Sequence, residues 1–285
     1  MKFFRRTPRP TSVYPIEDVY IYRQGHRLHY QVSGPLDAPP LVLLHGIGGS
    51  VNWWQHNFPA FNRHFRTYAL DLPGFGFSWR LKRAFSIDEG AGYLRDWLDF
   101  LGLDRINLLG HSMGGHIAAR FAARHPGRVN RLVLAAPSGL WVTAWERLKW
   151  LREMPKVSVP LDQTLSIATG TMRTDLLTLC VSLKAIISDR GAADALAQLT
   201  VPTLLLWGGS DGVLPPALGE RALQLLQKAP ARLQYVEHGT HNMMYDQAEQ
   251  FNRKTLGFLL NRSSISILVP TRGIPERLNL SESLI

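Results

Sequence analysis

Short apolar runs alternate with amphipathic stretches along most of this chain. The runs near 41–44, 66–70, 106–109, 131–135, 202–207 and 232–237 are brief, rich in Leu and Val, and bounded by Gly, Pro or charged residues. That pattern predicts buried strands. Apolar residues at helical spacing over 86–101, 113–124 and 216–228 predict helices between them, and 255–260 predicts a closing helix. Ahead of these, 19–22 and 28–32 show period-two patterning around Gln24-Gly25, the signature of a hairpin. Strand and helix in alternation imply an α/β architecture: a mostly parallel central sheet of about eight strands with helices on both faces.

The alternation breaks between 138 and 197. Trp141, Trp145, Leu148, Trp150 and Leu151 give this stretch an apolar face near helical spacing, so it is expected to be a helical lid inserted between the sixth and seventh strands. The expected organisation is a basic extension over 1–16, a core formed by 17–137 and 198–262, the lid over 138–197, and a tail over 263–285. The tail holds Ile265-Ser266-Ile267-Leu268-Val269, a possible edge strand.

Composition narrows the picture. The chain has 285 residues, 45% of them hydrophobic, enough for one large domain with a substantial core. It contains no apolar run long enough to span a bilayer. Residues 1–11 lack the apolar segment of a secretory signal, so a cytoplasmic location is expected. The single cysteine, Cys180, lies in an apolar stretch and is expected to be a small buried hydrophobe. Net charge is +10, with Lys2, Arg5, Arg6 and Arg9 at one end and Arg80-Leu81-Lys82-Arg83 further along. A solvated basic surface is the first reading of this charge. Weak association with an anionic membrane surface is the second, and no nucleic-acid recognition motif accompanies it.

The chemistry starts at Gly110-His111-Ser112-Met113-Gly114, a G-x-S-x-G run between a predicted strand and a predicted helix. Such a turn lifts a serine hydroxyl clear of the sheet edge, and small flanking residues are required because a Cβ would clash. The helix that follows offers unpaired N–H groups where a developing oxyanion would be stabilised. A serine hydroxyl is a weak nucleophile until a base and an orienting acid assist it. Asp211, in the loop Gly208-Gly209-Ser210-Asp211-Gly212 after a strand, is the expected acid. The rival position after the preceding strand, Ala135-Ala136-Pro137-Ser138, has no carboxylate. Two histidines follow the last strand. His241 is preferred as the base, with His238 as the alternative or a surface residue. The glycine-rich loop His45-Gly46-Ile47-Gly48-Gly49 suits a second oxyanion donor, so the N–H groups of Ile47 and Met113 are expected to form the oxyanion hole. His45 precedes the serine and is read as stabilising its loop.

These pieces resemble the α/β-hydrolase fold superfamily. The resemblance is carried in order by His45-Gly46-Ile47-Gly48, Asp71-Leu72-Pro73-Gly74-Phe75-Gly76-Phe77-Ser78, Gly110-His111-Ser112-Met113-Gly114-Gly115, Trp207-Gly208-Gly209-Ser210-Asp211 and His241, over about 17–262. It implies a serine esterase or lipase-like member, with Asp71 satisfying loop N–H groups. In the family a glycine usually precedes the base histidine, whereas here Thr240 does. Epoxide hydrolases and haloalkane dehalogenases of this fold place aspartate at the nucleophile position, and Ser112 instead suits acyl transfer. The expected substrate is a small ester with a short- to medium-chain apolar acyl group, met by His111, Trp141, Trp145, Met154, Leu161 and Met172, with Leu165, Leu176 and Leu179 also in range. No metal or organic cofactor is expected. A carbon–carbon bond hydrolase acting on vinylogous diketones is the alternative; no acid-binding arginine is assigned to the pocket, and Arg173 and Arg190 in the lid leave that option open. A proline iminopeptidase, a cofactor-free perhydrolase and a non-catalytic ligand-binding homologue are further readings, since fold alone does not fix function.

Overall fold

The structure is a computed structural model that describes residues 12–23, 26–78, 86–140, 176–189 and 191–261. Eight strands form one sheet in the order β1-β2-β4-β3-β5-β6-β7-β8. They are β1 (Glu17–Arg23), β2 (His26–Ser33), β3 (Pro40–Leu44), β4 (Arg66–Leu70), β5 (Ile106–His111), β6 (Val129–Ala135), β7 (Thr203–Gly208) and β8 (Ala231–Val236). β1 and β2 pair antiparallel, as does β2 with β4, and every later pairing is parallel. Strands β5 and β7 are buried at every residue. A parallel strand covered on both faces must be apolar throughout, which is why these runs showed no alternation.

The helices are α1 (Phe58–Phe61), α2 (Ile87–Phe100), α3 (Met113–Arg124), α4 (Leu176–Ser188), α5 (Ala192–Gln198), α6 (Ala217–Leu225), α7 (Met243–Asp246) and α8 (Ala248–Leu259). α2, α3, α5 and α6 touch in succession, while α8 meets α1 and α7 in a second group. α6 and α8, one from each group, both cover β7 and β8. α2 begins at a capping box in which Ser86 and Glu89 satisfy each other's backbone N–H groups. Its buried residues Ile87, Ala91, Leu94 and Leu98 recur at helical spacing along one stripe.

The expected elements and the observed ones agree in type, with ends that differ by a few residues, except that the closing helix α8 starts at Ala248 rather than near 255. α4 and α5 lie in the stretch expected to be a lid, between β6 and β7. Trp141, Trp145, Met154, Leu161, Leu165, Met172, Arg173 and Arg190 lie outside the described residues, as do the basic segments and the tail strand at 265–269. Cys180 corrects an expectation: it is exposed. On α4 the inward positions are Thr178, Ser182 and Ile186, one helical stripe, and Cys180 stands on the opposite side. A guanidinium holds α4 to the core. Arg120 of α3 donates to Asp88 of α2 at 2.6 Å and to both oxygens of Asp189, just after α4, at 2.9 and 3.0 Å. Asp189 Oδ1 also accepts the Gly191 N–H at 2.6 Å.

A buried carboxylate orders the loops after β3 and β4. Asp71 is fully buried. Its Oδ1 accepts from Val51 N at 2.7 Å, and its Oδ2 from Phe77 N at 2.8 Å. His29 Nδ1 meets the same Oδ2 at 2.7 Å, and His29 Nε2 meets Asp18 at 3.0 Å. Asp71 thus fastens two loops and the hairpin to one carboxylate. Asp71→Ala strips these donors of their acceptor, and each buried donor left unmet costs about 1–3 kcal/mol. Urea unfolding is expected to show a loss of at least about 3 kcal/mol, and a loss below about 1 kcal/mol would rule out this anchoring role.

Candidate functional site

All the loops at issue leave the C-terminal ends of parallel strands, so they gather at one edge of the sheet. Ser112 sits between β5 and α3 with φ 52° and ψ −115°, a conformation that a non-glycine residue adopts only under constraint. The constraint is visible. Ser112 N donates to Ala135 O at 3.0 Å, and Ser112 O accepts from His116 N at 3.0 Å and Ser138 N at 3.1 Å. A Cβ at Gly110 would lie 2.3 Å from Gly114 O, and one at Gly114 would lie 2.4 Å from Leu44 O, so the turn closes only with glycine at both positions. Gly46 is also near: a Cβ there would stand 3.0 Å from the Ser112 Cβ. The loop after β3 therefore lies against the serine. Among the described residues, no protein acceptor takes the N–H of Ile47 or of Met113.

Asp211 and His241 meet on neighbouring loops. Asp211 Oδ1 accepts from Val213 N at 2.9 Å and Leu214 N at 2.8 Å, which leaves Oδ2 for His241 Nδ1 at 2.8 Å. With its Nδ1–H donated to the carboxylate, the imidazole keeps an Nε2 lone pair to accept a proton. β7 and the His241 loop approach so closely that a Cβ at Gly208 would fall 2.3 Å from Thr240 O. His238 is exposed at φ 58° in the turn after β8 and has no part in this pairing. Thr240, where the resemblance led one to expect glycine, has a local function. Its hydroxyl donates to Asp246 and accepts from Asn242 N at 3.2 Å, tying the His241 loop to α7.

Three further histidines surround the serine, all buried. His45 Nδ1 donates to Gly46 O at 2.7 Å, while its Nε2 accepts from Leu72 N at 3.0 Å, so it braces its loop as expected. Burial lowers its pKa, which suits an imidazole that must keep an acceptor nitrogen. His111, expected in the substrate pocket, exposes no surface and packs against Trp53 and His241. His116, one turn into α3, is packed beside Gly139 and 3.8 Å from Asp189, and burial lowers its pKa to about 4. Sequence reasoning missed Asp246 and the part played by His111. A threonine three residues before the start of a short helix was the available hint for the first. The second depends on a contact between residues far apart in the chain, which no local pattern encodes.

Residues 39–157 match the alpha/beta hydrolase fold family. A 2-hydroxy-6-oxononadienedioate/2-hydroxy-6-oxononatrienedioate hydrolase of Burkholderia vietnamiensis is 31% identical over 267 residues, spanning 82% of this chain and 91% of its own length. Carboxylesterase YbfK of Bacillus subtilis is 27% identical over 283 residues, spanning 91% of this chain and 94% of its own. Among solved structures, the enol-lactonase from Burkholderia xenovorans LB400 superposes with a TM-score of 0.72 at 25% identity, covering 85% of this chain and 100% of that one. The chain belongs to the α/β-hydrolase fold family.

The lowered pKa of His116 has a measurable consequence. An unfolded histidine, with its pKa near 6.5, takes up a proton before the folded one does, so this contribution is complete above about pH 6.5 and is lost as pH falls toward about 4. At pH 5 the loss from His116 is expected to be about 2 kcal/mol. Unfolding at pH 7 and pH 5 should show a smaller drop for His116→Gln than for wild type, and equal drops would exclude a buried neutral imidazole here.

Proposed function

We propose that the chain is a serine hydrolase that cleaves carboxylic esters with short- to medium-chain apolar acyl groups. The observation that carries this reading is the Asp211–His241 hydrogen bond of 2.8 Å, at the sheet edge where Ser112 holds its strained turn. In this mechanism His241 Nε2 takes the Ser112 proton as Ser112 Oγ attacks the ester carbonyl. The N–H groups of Ile47 and Met113 hold the oxyanion. As the tetrahedral intermediate collapses, the bond to the alkoxy group breaks, and His241 returns the proton to the departing alcohol. Water then attacks the acyl-enzyme with His241 again as base, releasing the acid and restoring Ser112. Asp211 holds the imidazole in the required tautomer and stabilises its charged form. No step requires a metal or an organic cofactor. The carboxylesterase and lactonase names among the relatives support the choice of an ester bond.

A second reading is kept because one relative favours it. The Burkholderia vietnamiensis protein is named a hydrolase of a 2-hydroxy-6-oxo dienedioate and matches at 31% identity. A carbon–carbon bond hydrolase would use the same serine, base and acid on a vinylogous diketone.

The deciding experiment follows p-nitrophenyl esters from acetate to palmitate beside fluorophosphonate labelling. Ser112→Ala and His241→Ala are expected to lower ester turnover by at least about a thousandfold without loss of fold, and Asp211→Asn by somewhat less. His238→Ala is expected to stay near wild type. Full activity in Ser112→Ala would overturn the nucleophile, and a severe His238→Ala with a mild His241→Ala would reassign the base. A protein that labels at Ser112 yet turns over no ester would favour the carbon–carbon reading, with loss of diketone absorbance as its assay.

A further inference from the structure

His111 is a buried histidine for which the mechanism above has no use, and its contacts are specific. It is the last residue of β5, immediately before Ser112. Its Nε2 lies 2.9 Å from the main-chain oxygen of His241, 130 residues away in sequence. A carbonyl oxygen only accepts, so Nε2 carries the proton and donates it. The two imidazole rings stand 4.7 Å apart between centroids, and Trp53 packs on the His111 ring at 5.7 Å. The other nitrogen, Nδ1, is buried without a hydrogen-bond partner among the described residues.

We propose that His111 is a positioning residue that fixes the distance between base and nucleophile by clamping the His241 main chain to the residue before Ser112. The inference rests on the Ser112–His241–Asp211 reading. Asp211 holds the His241 side chain and Thr240 ties the loop to α7, but neither contact reaches β5, so neither removes the freedom of the imidazole to shift toward or away from that strand. The His111 hydrogen bond removes this freedom, because its donor is joined through a single peptide bond to the nucleophile. The clamp must persist while His241 carries a proton in mid-reaction. Burial, followed by repulsion from His241 and His45, keeps the His111 pKa well below the ordinary value. His111 therefore stays neutral beside a charged partner, and Nε2 keeps its proton for the carbonyl.

The test compares His111→Leu, His111→Gln and His111→Asn in the full chain, reading the rate of fluorophosphonate labelling at Ser112 and p-nitrophenyl butyrate kinetics against pH. Leucine fills the site without a donor. Glutamine carries an N–H at about the reach of Nε2, and asparagine falls short of it. His111→Leu is expected to lower the labelling rate and kcat about ten- to hundredfold, the scale of a reacting group displaced by an ångström, with KM little changed. The acid limb of its rate profile is expected to move to lower pH as Asp211 loses its hold on the imidazolium. His111→Gln is expected to recover most of the rate, which a mere packing role would not explain. A folded His111→Leu that labels at the wild-type rate with an unmoved pH profile overturns the clamp. If the leucine variant does not fold, equal labelling in the asparagine and glutamine variants overturns it instead. Wild-type labelling that is indifferent to His241→Ala would sink the underlying mechanism, and the clamp with it.

Discussion

One strained residue organises this site. Ser112 is held at φ 52° where the central strand β5 becomes α3, a conformation whose cost is on the order of 1–3 kcal/mol. The neighbouring strand and helix over-determine it. β6 takes its N–H through Ala135 O, the first turn of α3 and the loop after β6 donate to its carbonyl, and two glycines let the backbones close. Because β5 and β6 are buried in the middle of a parallel ladder, the turn cannot relax without breaking the core. The serine is therefore presented from the buried centre of the sheet, while loops from elements further out also reach it.

Those outer loops are held by buried acceptors. Asp71 gathers Val51, Phe77 and His29; His45 receives the Leu72 N–H; Asp211 receives Val213 and Leu214 before it turns to His241. Each of these side chains accepts from loop backbone, Asp71 with both oxygens, and each lies beyond the C-terminal end of a strand. Burial gives the bonds their strength, since an acceptor withdrawn from water has no alternative partner for the N–H it holds. The same burial keeps His45, His111 and His116 uncharged and makes the site sensitive to acid from within its supports.

The strands and helices were legible because their patterns answer to a single requirement, the covering of a parallel sheet. Ser112, Asp211 and His241 were legible because strand, turn and helix punctuate the chain around them in a fixed order. What escaped was lateral. The choice of His241 over His238 rested on the residues that follow it, whereas the structure separates the two by the left-handed turn at His238 and the reach of Asp211. Cys180 was misjudged because an apolar window does not say which helix face is inward when the buried stripe contains Thr178 and Ser182. His111 and Asp246 act through contacts that exist only once separate loops have been brought to one sheet edge.

The arginine clamp on Asp189 makes the insertion between β6 and β7 separable from the core. Arg120 secures the far end of α4 to α2 and α3, and Gly191 is tied to the same carboxylate. At the other end, Ser138 N is bonded to the carbonyl of Ser112. Both points of attachment are thus fixed to the scaffold. A different insertion spliced between 140 and 176 would meet the same two moorings, one at the Ser112 carbonyl and one at Arg120.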